Sequence, residues 1–144
     1  MTVERPEITI TTDRETCFAL RHQVFVLEQG VPLEEEIDAL DASATHLLAR
    51  QNGVPIGAAR IVFQDALAKI GRVCVLKSAR GTGLGAALIN EAGAIARARP
   101  GVTEAKLGAQ IQALGFYEKL GFTAVGPVYD DSGIDHRDMV LDLM

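Results

Sequence analysis

Three glycines alternate within one short segment, Arg80-Gly-Thr-Gly-Leu-Gly85, which follows a β-branched stretch and opens an apolar helical pattern. Glycines spaced in this way let backbone N–H groups converge and let a ligand approach the chain closely. The N–H groups in the first turn of a helix have no helical partner, and the helix dipole places about half a positive charge beside them. With the guanidinium of Arg80, the segment predicts a binding site for an anion such as phosphate. A tight turn that uses the glycines only for its backbone shape is the alternative.

Two known phosphate-binding motifs compete for this segment. No Gly-Lys-Ser/Thr follows the glycines, which excludes a Walker A loop. Gly81-Thr-Gly83-Leu-Gly-Ala86 satisfies the dinucleotide pattern G-x-G-x-x-A, and Glu104 lies near the spacing of a ribose-binding carboxylate. The stretch from Lys77 to Arg80 separates the glycines from the preceding strand, however, and strands without intervening helices come before it. This order of elements disfavours a dinucleotide-binding domain.

Composition limits the class of protein to which the chain can belong. It has 144 residues, 48% of them apolar, and a formal net charge of -5 from 14 Lys and Arg against 19 Asp and Glu. This length predicts one domain, residues 1–144, with a core of its own. No apolar run is long enough to cross a bilayer, Met1 to Pro6 lacks the pattern of a signal peptide, and the acidic balance disfavours nucleic-acid binding. We therefore expect a cytoplasmic protein without membrane or nucleic-acid partners.

The two cysteines, Cys17 and Cys74, lie in apolar stretches. Two thiols make neither a disulfide framework nor a four-ligand zinc site. Neither has a histidine nearby in a pattern typical of a catalytic thiolate. We therefore predict buried thiols, no metal and no covalent intermediate on cysteine.

Hydrophobic periodicity divides the chain into strand and helix patterns. The predicted strands are Glu7–Thr12, Thr45–Arg50, Val54–Phe63, Ala68–Leu76, Val102–Leu107, Phe122–Val125 and His136–Leu143. The first helix is predicted to begin with a capping box of Thr12 and Glu15. Its apolar stripe consists of Cys17, Leu20, Val24 and Leu27. A later helix begins in the glycine segment, and the last one spans Ala109–Leu120.

The order of these elements is β-α-(α)-β-β-β-α-β-α-β-β, where the bracketed helix is the acidic stretch Glu34–Asp41, a short helix or an ordered loop. Asn52-Gly53 marks a hairpin turn between the second and third strands. Three consecutive strands without helices between them predict an antiparallel meander. The fold class is therefore α+β, with a mixed, mostly antiparallel central sheet flanked by helices.

Arg80-Gly-Thr-Gly83-Leu-Gly85 resembles the R/Q-x-x-G-x-G/A motif of the GNAT-type N-acetyltransferase superfamily. The order of elements matches that superfamily over almost the whole chain, and the sequence is more narrowly similar to its ElaA-like branch. The segments that carry this similarity are Arg21 to Gln29, Glu36-Ile-Asp38, Gly71 to Val75, Ala109-Gln110, Phe116-Tyr-Glu-Lys-Leu-Gly-Phe122 and Gly133-Ile-Asp-His136.

The resemblance implies acetyl-CoA as cofactor, CoA as product, and direct acetyl transfer in a ternary complex to a primary amine of a small molecule or peptide. Dimers formed through sheet edges are frequent among the relatives, so a homodimer is one expected state, and the sequence leaves the oligomeric state open. By analogy, the cofactor's pantetheine arm pairs like an extra strand with the backbone of Val73 and Val75, where the family's sheet splays. The implied pyrophosphate and side-chain contacts are Arg80, Gly81, Thr82, Gly83, Leu84, Gly85, Ala86, Gln110 and Tyr117.

Tyr117 is the predicted general acid. A thiolate that leaves a thioester needs a proton or a strong hydrogen bond, and a phenol is protonated at pH 7 and donates along a fixed axis. The resemblance implies that such a tyrosine lies beside the sulfur atom. A core aromatic with a structural hydroxyl contact is the alternative.

The attacking amine must be neutral, so a general base is also expected. Glu28 is placed with Tyr117 in the catalytic set, because it lies seven residues after Arg21 and both could line one cleft; an exposed ion pair is the alternative. The acidic stretch would attract a cationic acceptor or form a solvated face. A histidine at a strand start has the right intrinsic pKa for a base or is structural. The predicted acceptor-binding residues are Arg21, Glu28, Glu36, Asp38 and His136.

One position departs from the pattern that the chain resembles. Gly108 precedes Ala109-Gln110, where relatives commonly carry a polar side chain such as Asn that helps to position the cofactor arm. We therefore expect substrate positioning to differ here. A non-catalytic CoA-binding or regulatory module would keep the glycine segment but tolerate loss of Tyr117, so the retained Tyr117 and Gln110 favour an enzyme.

Overall fold

Seven strands form one sheet in the computed structural model, which describes residues 5–144. The first four residues, which contribute to the predicted absence of a signal peptide, lie outside the described residues. The strands are β1 (Glu7–Thr11), β2 (Thr45–Gln51), β3 (Val54–Gln64), β4 (Leu67–Val75), β5 (Glu104–Gln110), β6 (Thr123–Asp131) and β7 (Ile134–Asp142). The α-helices are α1 (Arg14–Arg21), α2 (Leu33–Glu36), α3 (Leu84–Ala98) and α4 (Leu114–Lys119).

The strands lie in the order β1-β2-β3-β4-β5-β7-β6, and every neighbouring pair is antiparallel except β4 and β5. The predicted α+β class with a mostly antiparallel, partly mixed sheet is confirmed. The hairpin turn between β2 and β3 is also confirmed, since Asn52 and Gly53 have positive φ angles of 52° and 79°. None of the helices within residues 5–144 is long and apolar enough to cross a bilayer.

Each face of the sheet has its own apolar core, because successive side chains of a strand point to opposite faces. On one face, Leu47 of β2 belongs to a cluster with Leu88 of α3. On the other face, Leu48 belongs to a cluster with Cys17 of α1. All four side chains are at most 1% exposed. The central strands are thus buried on both sides, which holds them rigidly beneath the helices.

Two predicted helix starts are wrong. Helix α1 is capped by Asp13 instead of Thr12, because the Asp13 carboxylate accepts a hydrogen bond from the Thr16 N–H (3.2 Å). The helix predicted to begin at Ala109 begins at Leu114, because Ala109 stays in β5, where it is 1% exposed and pairs with β7. Sheet pairing, which local sequence does not display, outweighs the helix propensity of alanine there.

The predicted apolar stripe of the first helix is wrong at Leu27. After α1 the chain continues as a π-helix over His22–Glu28. Its turns are wider than 3.6 residues, so later side chains rotate away from the stripe that α1 sets. Cys17 and Val24 are buried, whereas Leu27 is 69% exposed.

Strand β6 is longer than predicted. It continues past Val125 to Asp131, although Gly126 and Pro127 are residues that usually interrupt strands. The register with β7 shifts between Val125 and Tyr129, and this bulge lets the chain resume pairing after the interruption.

A cluster of charged side chains, buried at Arg21, Glu36, Asp41 and Arg60, ties the segment after α1 to β3 and β4. This charge network consists of three arginines and three carboxylates, Arg21, Glu36, Asp38, Asp41, Arg60 and Arg72. Arg21, only 1% exposed, donates from Nε to both carboxylate oxygens of Glu36 (3.0 and 3.1 Å) and from Nη1 to Asp41 Oδ1 (2.7 Å). Every guanidinium nitrogen of Arg21 is hydrogen-bonded, since Nη2 also reaches the Glu36 carbonyl oxygen (2.7 Å).

The two strand arginines complete the network from the sheet. Arg60 of β3 donates to Asp38 Oδ1 (2.8 Å) and Asp41 Oδ1 (3.0 Å). Arg72 of β4 places Nε 2.9 Å from Glu36 Oε2 and Nη2 3.3 Å from Asp38 Oδ2. Each charge has an opposite partner, so the cost of burying these charges is offset within the network.

We expect Arg21→Ala to lower the free energy of unfolding by about 3–5 kcal/mol, because it leaves buried carboxylates without their partner. Urea unfolding with an unchanged m value would measure this loss. Arg50→Ala is the matched control. Arg50 forms an exposed pair with Asp13 (3.8 Å), for which a loss of about 1 kcal/mol or less is expected. Equal losses in the two variants would contradict a dominant role for the network.

Stability should fall in acid because the network holds carboxylates ionised. Burial alone would raise the pKa of Asp41, but hydrogen bonds from Arg21, the Asp38 N–H and Arg60 hold it well below its ordinary 3.8. The unfolded chain therefore binds a proton at Asp41 at a higher pH than the folded chain does. The contribution of Asp41 to the free energy of unfolding is complete above ~pH 4 and is lost as the pH falls further. Urea unfolding should show a flatter decline below ~pH 4 for Asp41→Asn than for the native protein. Parallel curves would show that Asp41 does not carry the effect.

Candidate active site

Strands β4 and β5 separate to form a cleft in the middle of the sheet. They pair in parallel over only three positions, which end at Lys69 and Lys106. Beyond that point β4 continues to pair with β3 as far as Val75, and β5 continues to pair with β7 as far as Gln110. The facing edges of β4 and β5 consequently carry backbone groups that the sheet does not use. The cleft between them has a volume of about 850 Å³.

A bulge in β4 accompanies this separation. Ala58 pairs with Cys74 and Arg60 with Gly71, so two β4 residues face one β3 residue. Arg72 lies in this bulge with a φ of 50°, a left-handed conformation that is unfavourable for a side chain other than glycine. Its ion pairs with the charge network hold it there. Since a bulge bends its own strand, the network and the opening of the sheet are mechanically linked.

The glycine segment follows β4 and leads directly into α3. Gly81 and Gly83 have φ angles of 79° and 87°, which glycine adopts without strain. Gly83 is the N-cap of α3, and the first helical hydrogen bond runs from the Ala87 N–H to its carbonyl oxygen (3.0 Å). The N–H groups before Ala87 have no helical acceptor, so they can receive an anion. The predicted anion site therefore has the backbone geometry that it requires.

Arg80 is anchored at the start of this turn. Its Nε donates to the Val75 carbonyl oxygen (3.0 Å), and its Nη2 donates to Glu28 Oε1 (2.7 Å). The hydrogen bond from Arg80 holds the pKa of Glu28 below its ordinary value. Glu28 therefore stays ionised beside the glycine turn and does not line the cleft. This position argues against Glu28 as the general base.

The structure also separates the predicted pair of Arg21 and Glu28. Arg21 is enclosed by the charge network, and the π-helix carries Glu28 away to Arg80. Glu36 belongs to the cleft lining, but it is 2% exposed and its carboxylate is bound by two arginines, so neither Glu36 nor Arg21 has a free group for an acceptor. Asp38 does line the cleft, but hydrogen bonds from Arg60 hold its pKa below the ordinary value. The expected cluster of acceptor-binding residues is therefore corrected at Arg21, Glu28 and Glu36.

Tyr117 of α4 lines the cleft from the β5 side. Its ring packs edge-on against Phe116 (centroids 5.0 Å apart) and Phe122 (6.1 Å). Burial raises the pKa of Tyr117, so its phenol stays protonated. No side chain or backbone group among residues 5–144 hydrogen-bonds the hydroxyl, which leaves it free to donate to a ligand. Gln110, also in the cleft lining, donates to Gln29 Oε1 (3.3 Å).

His136 lines the same cleft from β7. Its Nδ1 lies 2.8 Å from the Ile134 carbonyl oxygen, which can only accept, so the proton is assigned to Nδ1. In the neutral imidazole, Nε2 then carries a lone pair that can take a proton from a ligand. The imidazole also stacks on Tyr129, with ring centroids 5.9 Å apart and planes at 24°.

Among the cleft residues that sequence reasoning missed, Lys106, Tyr129 and Asp138 carry polar groups close to His136. Tyr129 lies beyond the predicted end of β6, and Lys106 is one of several lysines without a motif. Asp138 could have been predicted from the alternation along β7. Residues two apart on a strand share a face, so Asp138 lies on the same face as His136.

Cys17 and Cys74 are buried free thiols, as predicted. Burial raises the pKa of Cys17 to about 11 and that of Cys74 to about 12. Neither thiol is therefore a thiolate at neutral pH, and neither is suited to act as a nucleophile.

Comparisons with known proteins agree with this architecture. The family described as acetyltransferase (GNAT) domain matches residues 10–143. The chain is 40% identical to the uncharacterized N-acetyltransferase YjcF of Bacillus subtilis over 126 residues, which cover 87% of this chain and 89% of YjcF. It is 32% identical to the protein ElaA of Escherichia coli over 129 residues, which cover 87% of this chain and 84% of ElaA.

Solved structures give the same result. The crystal structure of Escherichia coli ElaA superposes with a TM-score of 0.84 at 28% identity, covering 96% of this chain and 99% of that one. An acyl-CoA N-acyltransferase from Pseudomonas aeruginosa superposes with a TM-score of 0.83 at 30% identity, with the same coverage. The chain therefore belongs to the GNAT family of acetyltransferases, in its ElaA-like branch, and acyl transfer is its class of reaction.

Proposed function

We propose that this protein transfers an acetyl group from acetyl-CoA to a primary amine of a small molecule or peptide, directly and within a ternary complex. The observation that supports this proposal most is the cleft between β4 and β5. It combines an open strand edge, a phenol without a protein partner among residues 5–144, and an imidazole with a free ring nitrogen.

The residues around the cleft fit the parts of acetyl-CoA. The backbone of Val73 and Val75 lies on the edge of β4 that β5 does not pair with, where an amide-rich arm can pair as a strand does. The Val75 carbonyl oxygen already accepts a hydrogen bond from Arg80, so Val75 would contribute its N–H. The free N–H groups from Gly81 to Ala86 suit a pyrophosphate. The Arg80 guanidinium lies beside them, paired with Glu28, and can turn to a phosphate when one binds. Bound acetyl-CoA would supply the thioester carbonyl that the amine attacks. An overall acidic chain therefore still offers a local site for a polyanion.

Two side chains are suited to the proton transfers. His136 Nε2 takes the proton of the attacking amine as the new N–C bond forms. Tyr117 donates its phenolic proton to the sulfur atom as the C–S bond breaks. Because both cysteine thiols are buried and protonated, they offer no alternative route through an acyl-enzyme. Direct transfer is the route that these residues support.

A non-catalytic CoA-binding module is the alternative. It would need the strand edge and the glycine turn but neither the free hydroxyl of Tyr117 nor the free Nε2 of His136. A dinucleotide-binding domain fits less well, because β4 and β5 are the one parallel pair in the described sheet, whereas that fold is built from a run of parallel pairs.

Acetyl-CoA at 100 times its dissociation constant should stabilise the protein by about 2.7 kcal/mol and raise its melting temperature by roughly 5–10 °C. NAD at the same concentration should have no such effect. Arg80→Gln should reduce the shift, because the guanidinium no longer contributes to phosphate binding. Arg50→Gln, which removes an equal charge on β2, should leave the shift unchanged. A shift with NAD and none with acetyl-CoA would overturn the proposal.

Tyr117→Phe should lower kcat for CoA release by about 10²-fold or more, because the leaving sulfur loses its proton donor. The dissociation constant of acetyl-CoA should stay within about twofold, since the ring still packs against Phe116 and Phe122. Thiol release in the presence of a panel of primary amines and peptides measures the rate. An unchanged kcat would make Tyr117 a core aromatic, and no release with any acceptor by the native protein would favour the binding module.

A further inference from the structure

Gly108 lines the cleft against the tip of the Tyr129 side chain, so a larger residue at this position would have to displace that ring. A Cβ atom at this position would overlap the hydroxyl oxygen of Tyr129, which reaches across from β6. That hydroxyl donates a hydrogen bond to Asp138 Oδ1 (2.8 Å), and Asp138 is the residue opposite Gly108 in the β5–β7 pairing. A glycine in the middle of a strand weakens that strand. The glycine is therefore explained by the place that the Tyr129 phenol takes above it.

The Tyr129 side chain is partly exposed, yet polar contacts from two other strands hold its hydroxyl group in place. It is 36% exposed, so its contribution to the core is small. Burial and the hydrogen bond to Asp138 raise the pKa of Tyr129 to about 12, so the phenol remains a donor. Asp138 is itself held on its other side, since its Oδ2 lies 3.4 Å from Lys106 Nζ. Three strands thus contribute to fixing one half-exposed ring.

The ring that is fixed in this way is the one on which His136 stacks. Tyr129 and His136 are direct cross-strand partners in the β6–β7 pairing. The imidazole has two restraints: the Ile134 carbonyl oxygen at Nδ1 determines its tautomer, and the Tyr129 ring determines its plane. Neither restraint uses Nε2. The arrangement therefore holds the basic nitrogen ready while leaving it unbonded within the described residues.

We propose that Tyr129 is a positioning residue for His136, and that Gly108 exists to admit it. This inference rests on the proposed function, because it assigns to His136 the deprotonation of the acceptor amine. Tyr129 itself does not exchange a proton with the substrate. It orients the imidazole, and a small error in such an orientation is costly to a proton transfer.

The test uses ¹⁵N chemical shifts of the His136 ring nitrogens, which report the tautomer without any acceptor. The native protein should show a protonated Nδ1 and an unprotonated Nε2. Tyr129→Leu removes the ring that fixes the plane of the imidazole. The imidazole can then rotate away from the Ile134 carbonyl oxygen, so the shifts should average between the two tautomers. Tyr129→Phe keeps the stack and should largely preserve the native shifts. Val128→Ala is the matched control on the same strand, 55% exposed and outside the cleft lining, and should be silent.

Kinetics with the best primary amine from the acceptor panel give the second measurement. Tyr129→Leu should lower kcat by about 10-fold with the KM for the amine within about twofold, whereas Tyr129→Phe should lose less. Gly108→Ala should reproduce the defect of Tyr129→Leu by displacing the phenol. The double variant should be no worse than either single variant, because the two substitutions disrupt the same arrangement.

The outcomes separate this inference from the function on which it rests. If His136→Gln leaves kcat unchanged, the assignment of the base is wrong. If His136→Gln lowers kcat but Tyr129→Leu changes neither kcat nor the ring shifts, only the positioning role is wrong. Additive defects of Gly108→Ala and Tyr129→Leu would overturn the link between those two residues. If no amine is acetylated, native ring shifts in Tyr129→Leu would still overturn the positioning role.

Discussion

The structure depends on the pairing of three arginines with three carboxylates, of which all but Arg72 and Asp38 are buried. None of the three arginines can be left without its partners at low cost, so the segment after α1, strand β3 and strand β4 must keep one mutual arrangement. Arg72 is the member with a direct effect on the site, because its ion pairs hold a left-handed residue inside a strand. The bulge that contains Arg72 bends β4 just past Lys69, where its pairing with β5 ends. The ion pairs of Arg72 therefore lie next to the opening in the sheet.

The cleft leaves free the backbone N–H and C=O groups that a continuous sheet would pair. Backbone groups that would otherwise bond between β4 and β5 face a cleft instead, and the connection from β4 to β5 passes through α3. Because β4 and β5 are parallel, α3 must begin near the end of β4, and its free N–H groups meet Arg80 there. A chain with a net charge of -5 thereby presents unpaired N–H donors at one helix end without clustered basic residues.

The other wall of the cleft is built by alternation along strands. Residues two apart on β5 and β7 share a face with each other, so Gly108, Asp138 and His136 come together although they are far apart in the chain. Tyr129 joins them from β6 because the bulge after Val125 restores its pairing with His136. His136 is therefore held by residues of three strands. Only one of its restraints, the Ile134 carbonyl oxygen, comes from a neighbour in sequence.

The sequence by itself determined the order of the elements, the glycine turn and the family, because these are written in local spacing. Alternation predicts strands, Asn52-Gly53 predicts a hairpin, and Gly81 and Gly83 occupy positions where the backbone needs positive φ. The tertiary structure alone decided which charged residues reach the cleft. Arg21 and Glu28 part because a π-helix does not keep the spacing of an α-helix, and Tyr129 enters because strand pairing brings together distant residues. Helix periodicity predicts which side chains share a face only where the helix keeps 3.6 residues per turn. Cross-strand neighbours depend on strand pairing and register, which a local sequence pattern does not contain.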